Sequence, residues 1–240
     1  MTLPTRLATA LLGCAAVAGA AAAAPICDAH SSATAPLVVE LYTSEGCSSC
    51  PPADRWLSTL KGRSDVIALA FHVDYWDRLG WTDRYATPAG TARQRELARR
   101  AGGDGVYTPQ VIVDGVDRRD WRLSRAAGAV GPRIELTRDG DFVGVDVGPL
   151  PGAVRELAGY WAVVEDGYAS SVRAGENAGA TLHHDAVVRL YRPLPPWSAA
   201  SSLQARLEVT RGNAEHPRRV VFVVTDARSG RPLQALALGC

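Results

Sequence analysis

The sequence predicts an α/β domain over residues 37–132 followed by a β-rich, sandwich-like domain over residues 133–240. Three observations predict it. Two short apolar runs, residues 37–42 and 66–73, flank a segment with helical spacing, which is the pattern of a strand, helix, strand unit with buried parallel strands. At the junction of the first strand and the helix stand Cys47 and Cys50, two residues apart. After Pro132 the helical spacing stops, and short strand-like runs separated by Gly-, Asn- and Pro-rich turns take over, as in a β-sandwich.

Residues 1–24 have the pattern of a secretory signal peptide, with one arginine, an Ala- and Leu-rich run and small residues at its end. A membrane anchor is the alternative reading, and residues 11–14 faintly resemble a lipoprotein box. The full chain of 240 residues carries 26 Lys and Arg against 25 Asp and Glu, and loss of the leader removes only Arg6. The mature chain is then formally neutral, which gives no electrostatic reason for a nucleic-acid partner or for stable membrane insertion. No other segment is long and apolar enough to span a bilayer. The expected location is the periplasm or the extracellular medium, where disulfides persist. Cys27, Cys47, Cys50 and Cys240 remain after cleavage. The close spacing of the middle two favours a connectivity in which Cys27 and Cys240 bridge the two ends of the chain, with two free thiols as the alternative.

In chain order, residues 25–36 read as a linker and residues 37–42 as a central strand. Glu40 is the exception in that strand, read either as lying at a strand end in contact with water or as a buried acid near the sulfurs. A helix begins around Cys50, where Pro51 and Pro52 occupy first-turn positions that need no N–H. Residues 66–73 form the second strand, parallel to the first. The aromatic-rich loop that follows, residues 74–81, lies at the carboxyl edge where ligands bind in open α/β sheets. Residues 91–101 read as an Arg-rich helix and residues 106–115 as a strand entered through Thr108-Pro109, a bond that proline allows to be cis. Residues 119–130 read as a last helix. Asp139-Gly140 marks a hairpin between residues 134–138 and 142–147. Further strands are expected at residues 160–164, 181–191, 203–210, 220–225 and 233–238.

Taken together, the strand, the C-x-x-C at a helix start, the second strand and helix, and the Thr-Pro before a strand resemble the thioredoxin-like fold. The wording of residues 46–54, 71–77, 93–94 and 107–110, with Gly175-Glu176-Asn177-Ala178-Gly179 further on, is similar to a secreted family of that superfamily known as domain of unknown function 1223. The resemblance implies a cis bond at Pro109, packed against Cys47 and Cys50 to hold a substrate backbone, and it implies no specific reaction. Against well-studied thioredoxins, Gly46 replaces a tryptophan and Ser48-Ser49 replaces Gly-Pro. Leu41 falls where those proteins place a buried aspartate, with Glu40 on the opposite face.

The chemistry these residues favour is thiol-disulfide exchange, with no cofactor beyond the dithiol itself and with a protein or small-molecule disulfide or dithiol as partner. Cys47, exposed beside the positive end of a helix, is the expected nucleophile, and a more buried Cys50 resolves the mixed disulfide. Glu45 opposes the helix end and moderates that nucleophile. Glu40, Glu45, Thr108 and His72 are the supporting residues, Pro109 orients the partner chain, and Tyr75, Trp76, Trp81 and Tyr107 either line its groove or simply pack. Two alternatives belong to other classes. Cys47 and Cys50 form a static disulfide in an interaction module, or they bind Cu(I) with His72 as a third ligand. His72 also reads as a hydrogen-bonded core residue. His183 and His184 face opposite ways and do not share a metal, while Asp74 and Asp77 read as loop caps.

Overall fold

The computed structural model describes residues 27–124 and 131–240. The expected leader lies outside them, as do residues 125–130 of the expected last helix. In chain order the elements are β1 (Cys27–His30), β2 (Leu37–Thr43), α1 (Pro51–Ser58), β3 (Val66–His72), a 3-10 helix (Asp74–Leu79), α2 (Pro88–Arg100), β4 (Gln110–Val113) and β5 (Val116–Asp117). There follow β6 (Ile134–Asp139), β7 (Phe142–Val147), β8 (Glu156–Glu165), β9 (Tyr168–Ser171), β10 (Thr181–His184), β11 (Val187–Ser198), β12 (Leu203–Glu208), β13 (Arg218–Asp226) and β14 (Pro232–Leu238).

Strand β2 is buried along its whole length. It pairs parallel with β3 and antiparallel with β4, so it has no open edge and both its faces are covered. Its β-branched and aromatic residues suit that position. Beyond β3 the sheet does not stop. Val187 of β11 pairs parallel with Ala70 of β3, and the Ala70 N–H donates to the Ala186 carbonyl at 2.7 Å. Through β11 the chain's two halves share one eight-stranded sheet, ordered β14-β13-β8-β11-β3-β2-β4-β5.

A four-stranded sheet, ordered β1-β6-β7-β12, contributes its apolar residues to a second core with β8, β13 and β14. Ile134, Leu136, Val143, Val145 and Leu207 meet Trp161 and Phe222 there, with the last two rings edge to face at 4.7 Å. The first core gathers β2, β3 and β4 with Ala53, Leu57 and Leu60. A two-stranded ribbon, β9 with β10, stands apart from both sheets and packs against α1.

Several boundaries differ from the sequence reading. The segment read as a linker contains β1, which pairs with β6 and starts at a Cys27–Cys240 disulfide with a Cα separation of 6.4 Å. The bridge ties β1 beside β14 and gives a short polar strand a fixed partner. Helix α2 starts at Pro88, not Thr91, because Thr87 caps it: the Thr87 side chain accepts from the Gly90 N–H at 3.1 Å, and proline follows as the first helical residue. The expected strand 181–191 is broken at Ala186, whose φ of 57° turns the chain out of the ribbon and into the large sheet. Residues 119–124 are not helical. Trp121 has φ 53° and packs its ring 5.6 Å from that of Trp56, a contact and a backbone that a helix would not allow.

Glu40 is also not at a wet strand end. It is 3% exposed in mid-strand, facing α2, where Arg93 Nη2 donates to Oε1 at 2.6 Å. Tyr160 and Tyr42 hydroxyls donate to the same carboxylate at 2.6 and 3.0 Å, and Arg93 reaches Tyr191 at 3.0 Å. The carboxylate is therefore fully engaged on the face away from the one that carries Thr43. Removing one partner of such a pair strands the other charge in a dry interior. Arg93→Ala is expected to lower the unfolding free energy by about 3 kcal/mol, measured by urea denaturation. A loss under about 1 kcal/mol would show that Glu40 is satisfied without the cation.

Candidate functional site

Alternation along β2 decides what meets the cysteines. Glu40 and Tyr42 face α2, while Thr43 faces α1, where its hydroxyl donates to Asp54 Oδ2 at 3.2 Å. The strand ends at Thr43 and the chain turns through residues 44–50. The Cys47 N–H donates to the Ser44 carbonyl at 3.1 Å and the Cys50 N–H to the Cys47 carbonyl at 3.2 Å. The Cys50 carbonyl in turn receives the N–H groups of Ala53 and Asp54, which opens α1. Cys47 and Cys50 are joined in a disulfide across this turn, with Cα atoms 5.4 Å apart.

Both cysteines are 0% exposed, whereas Ser48 and Ser49 between them face solvent. The expectation of an exposed Cys47 and a buried Cys50 is corrected on this point. Trp76 covers one side of the turn so closely that a Cβ at Gly46 would stand 3.1 Å from the Trp76 Cβ. Glycine at 46 is thus the residue that fits beside Trp76. The Asn177 amide covers the turn's backbone, donating at 2.9 Å to the carbonyls of both Glu45 and Cys47.

A chain of buried polar groups continues from the turn. The Glu45 N–H and His72 Nδ1 both meet Asp83 Oδ2, at 2.9 and 2.6 Å, and the Tyr85 N–H donates to Oδ1 at 2.9 Å. The Glu45 carboxylate accepts from Trp81 Nε1 at 2.7 Å and lies 3.2 Å from His184 Nε2. The His72 and His184 rings meet edge to face at 4.9 Å. Asp54, in the first turn of α1, is 8% exposed and lies one helical turn beyond Cys50.

Burial alone would push the Asp83 carboxyl up. The charge and hydrogen bond of His72, with the N–H groups of Glu45 and Tyr85, overcome it and hold Asp83 at about 2. Burial also works to lower His72, and the charge and hydrogen bond of Asp83 outweigh it, so the imidazole is raised. For Glu45, burial is outweighed by hydrogen bonds from His184, Ser170 and Trp81, which lower it. Asp54 goes the other way: burial raises it, against smaller opposing effects from His72, His184 and Thr43.

Of the other residues expected at the site, Pro109 follows a cis peptide bond at the entry to β4. Thr108 Oγ1 accepts from Trp76 Nε1 at 2.8 Å, so Trp76 links the cysteine turn to the Pro109 loop. A cavity of about 290 Å³ beside that loop is lined by Tyr107, Thr108, Pro109, Arg118, Arg119 and Trp121, among others. The polar tips of the four aromatics read as groove candidates are all engaged internally. Tyr75 meets Gln94, Trp76 meets Thr108, Trp81 meets Glu45 and Tyr107 meets Asp117. They frame the site. His72 is the hydrogen-bonded core histidine of the two readings. Among the described residues no group of three or more His, Cys, Asp and Glu side chains is placed to hold a metal ion.

Asp83 escaped the sequence reading, and Asp54, Asn177 and His184 were given no place beside the cysteines in it. Asp54 had a usable signal, its i+4 spacing from Cys50 on an incipient helix. Asn177 stood in the family-like wording of residues 175–179, while Asp83 and His184 come from distant segments with no signal linking them to the cysteines.

The His72–Asp83 pair gives the site a pH dependence with a definite sign. A raised histidine stabilises the fold below its unfolded value near 6.5 and loses that contribution as pH rises through its folded value. A depressed carboxylate contributes above its unfolded value near 3.9 and loses it as pH falls toward about 2. Both contributions overlap at about pH 4 to 6. The stability gap between the natural protein and Asp83→Asn is expected to be largest there, about 2 kcal/mol, and to shrink at pH 3 and at pH 9. A gap independent of pH in denaturant titrations would show that the pair is not ionised.

Among solved structures, a protein designated AGR_C_4864 from Agrobacterium tumefaciens is similar at 30% identity with a TM-score of 0.63, over 85% of this chain and 95% of that one. HBP35 of Porphyromonas gingivalis matches at 15% identity with a TM-score of 0.53, over 86% of this chain and 76% of that one, a likeness of fold. No curated protein matches the chain. A family model described as a protein of unknown function, DUF1223, matches residues 38–225, which span the cysteine turn, the Pro109 loop, residues 175–179 and His184. The chain belongs to the DUF1223 family.

Proposed function

We propose that this chain is an exported thioredoxin-like protein that carries out thiol-disulfide exchange through Cys47 and Cys50. The observation that carries the reading is the Cys47–Cys50 disulfide itself. It closes a C-x-x-C turn at a helix start and is joined through Trp76 to the loop of cis-Pro109. The parallel β2-α1-β3 unit with β4 and β5 antiparallel beside it supports the thioredoxin-like assignment. Two disulfides, and the lack of any helix among the described residues long and apolar enough to cross a membrane, are compatible with a periplasmic or secreted protein.

In the reducing direction, the Cys47 thiolate attacks one sulfur of a substrate disulfide. An S–S bond forms between Cys47 and the substrate, and the other substrate sulfur leaves as a thiolate. Cys50 then attacks Cys47, expelling the second substrate thiolate and restoring the Cys47–Cys50 disulfide. The protein loses two electrons and the substrate gains them, and oxidation of a dithiol is the same sequence reversed. Cys50 must give up a proton in the second step. Asp54 lies one helical turn from Cys50 in a buried position that raises its carboxyl, and we assign it that role.

A second reading, a static disulfide in an interaction module, draws on the burial of both sulfurs. The two separate on turnover. Purified mature protein is expected to reduce a model protein disulfide in the presence of a dithiol regenerant. Cys47→Ser abolishes the activity, and Asp54→Asn slows it by about a hundredfold without unfolding the protein. Equal activity in Cys47→Ser would remove the exchange reading.

A further inference from the structure

Residues 175–179 lie between β9 and β10, at the tip of the ribbon, and they approach the cysteine turn from the distant half of the chain. Their turn is internally fixed. Gly175 takes φ +75°, the Ala178 N–H donates to the Gly175 carbonyl at 3.3 Å, the Ala180 N–H to Asn177 at 3.0 Å and the Gly179 N–H to Val172 at 2.9 Å. A Cβ at Gly175 would stand 3.3 Å from the Trp81 Cβ, so the tip rests on the same tryptophan that holds Glu45.

From this base two side chains grip the cysteine turn. Asn177 binds the carbonyls on both sides of Gly46, those of Glu45 and Cys47. Glu176 accepts two hydrogen bonds on one oxygen, from the Ser48 N–H at 3.0 Å and the Ser48 hydroxyl at 2.8 Å. Ser48 is the residue after Cys47, and its N–H belongs to the turn that precedes α1. Cys47 itself is 0% exposed, so no reductant or substrate reaches its sulfur in this arrangement.

We infer that Glu176 and Asn177 are positioning residues that gate Cys47, with Glu176 as the latch: the sulfur is attackable only when the 175–179 tip releases Ser48. The inference rests on the exchange reading for its purpose, and it deepens that reading by naming what controls access to the nucleophile. Release also has a local chemical cause. A Cys47 thiolate formed on reduction belongs to the residue next to Ser48, which holds the Glu176 carboxylate, so the two negative charges repel and reduction weakens the latch. Asn177, tied to carbonyls that do not change charge, keeps the tip over the turn while Glu176 lets go.

The test measures the rate at which a water-soluble phosphine reduces each disulfide of the purified mature protein. Phosphorus attacks a disulfide sulfur, water supplies the oxygen of the phosphine oxide, and two thiols result. This readout needs no turnover of any biological substrate, so it stands even if the exchange activity is absent. Glu176→Ala is expected to speed reduction of Cys47–Cys50 by about tenfold, and Ser48→Ala, which deletes one of the two donors, by about threefold. Glu176→Gln, which keeps a neutral acceptor, stays close to the natural rate. Reduction of Cys27–Cys240 is unchanged in all three, which separates gating from general loosening. Unchanged or slower reduction of Cys47–Cys50 in both Glu176→Ala and Ser48→Ala would overturn the inference, as would equal acceleration of both disulfides.

Discussion

The pairing of Val187 with Ala70 is the contact on which the rest of the molecule depends. It is a single register position, yet it merges strands from both halves of the chain into one sheet. Because β11 lies beside β3, Tyr191 on β11 and Tyr160 on β8 come within reach of Arg93 and Glu40 on the α2 face. On the α1 side, the chain just before β11 is the ribbon, which delivers His184 to Glu45 and residues 176 and 177 to the cysteine turn. Neither the buried charges of the first half nor its disulfide is complete without the second half.

The two faces of β2 treat charge in opposite ways. Toward α2, Glu40 and Arg93 form a closed pair whose remaining hydrogen-bonding capacity is met by three tyrosines. A pair closed in this way suits a structural role. Toward α1, Glu45, Asp54, His72, Asp83 and His184 form an open set. It contains two depressed acids, Glu45 and Asp83, and one raised acid, Asp54, together with two buried imidazole nitrogens, His72 Nε2 and His184 Nδ1, without a hydrogen-bond partner among the described residues. Polar interiors of this kind change protonation when a neighbouring charge appears, which is what reduction of a disulfide to a thiolate produces.

What the sequence disclosed follows from the range of each interaction. The strand, C-x-x-C and helix junction and the Asp139-Gly140 hairpin depend on local backbone rules and were legible, whereas the cis Thr108-Pro109 bond was implied by the family resemblance and the Cys27–Cys240 bridge stood beside two free thiols as an alternative. Alternation put Glu40 on the face away from Leu41, but periodicity names a face and not its occupant, so Arg93 was missed and water was favoured in its place. Cys47 was expected to be exposed for the same reason. Residues that pack on its turn lie 29 and 130 positions away, at Trp76 and Asn177, with no periodic signal linking them. At Glu40 and at Cys47 the error was toward solvent.

The disulfide at residues 47–50 thus sits in a turn held from three sides: by Trp76, by the Glu45–Asp83 contact beneath and by the ribbon tip. A pair intended for exchange needs that protection to be reversible, and a purely structural pair does not. The measurement that tests the account most directly is the reduction potential of each disulfide, read by equilibration with glutathione and thiol trapping. Exchange predicts that Cys47–Cys50 equilibrates at a potential above about −300 mV while Cys27–Cys240 resists reduction below it. If Cys47–Cys50 also stays oxidised below that value, the dithiol is a structural staple and the proposed chemistry is contradicted.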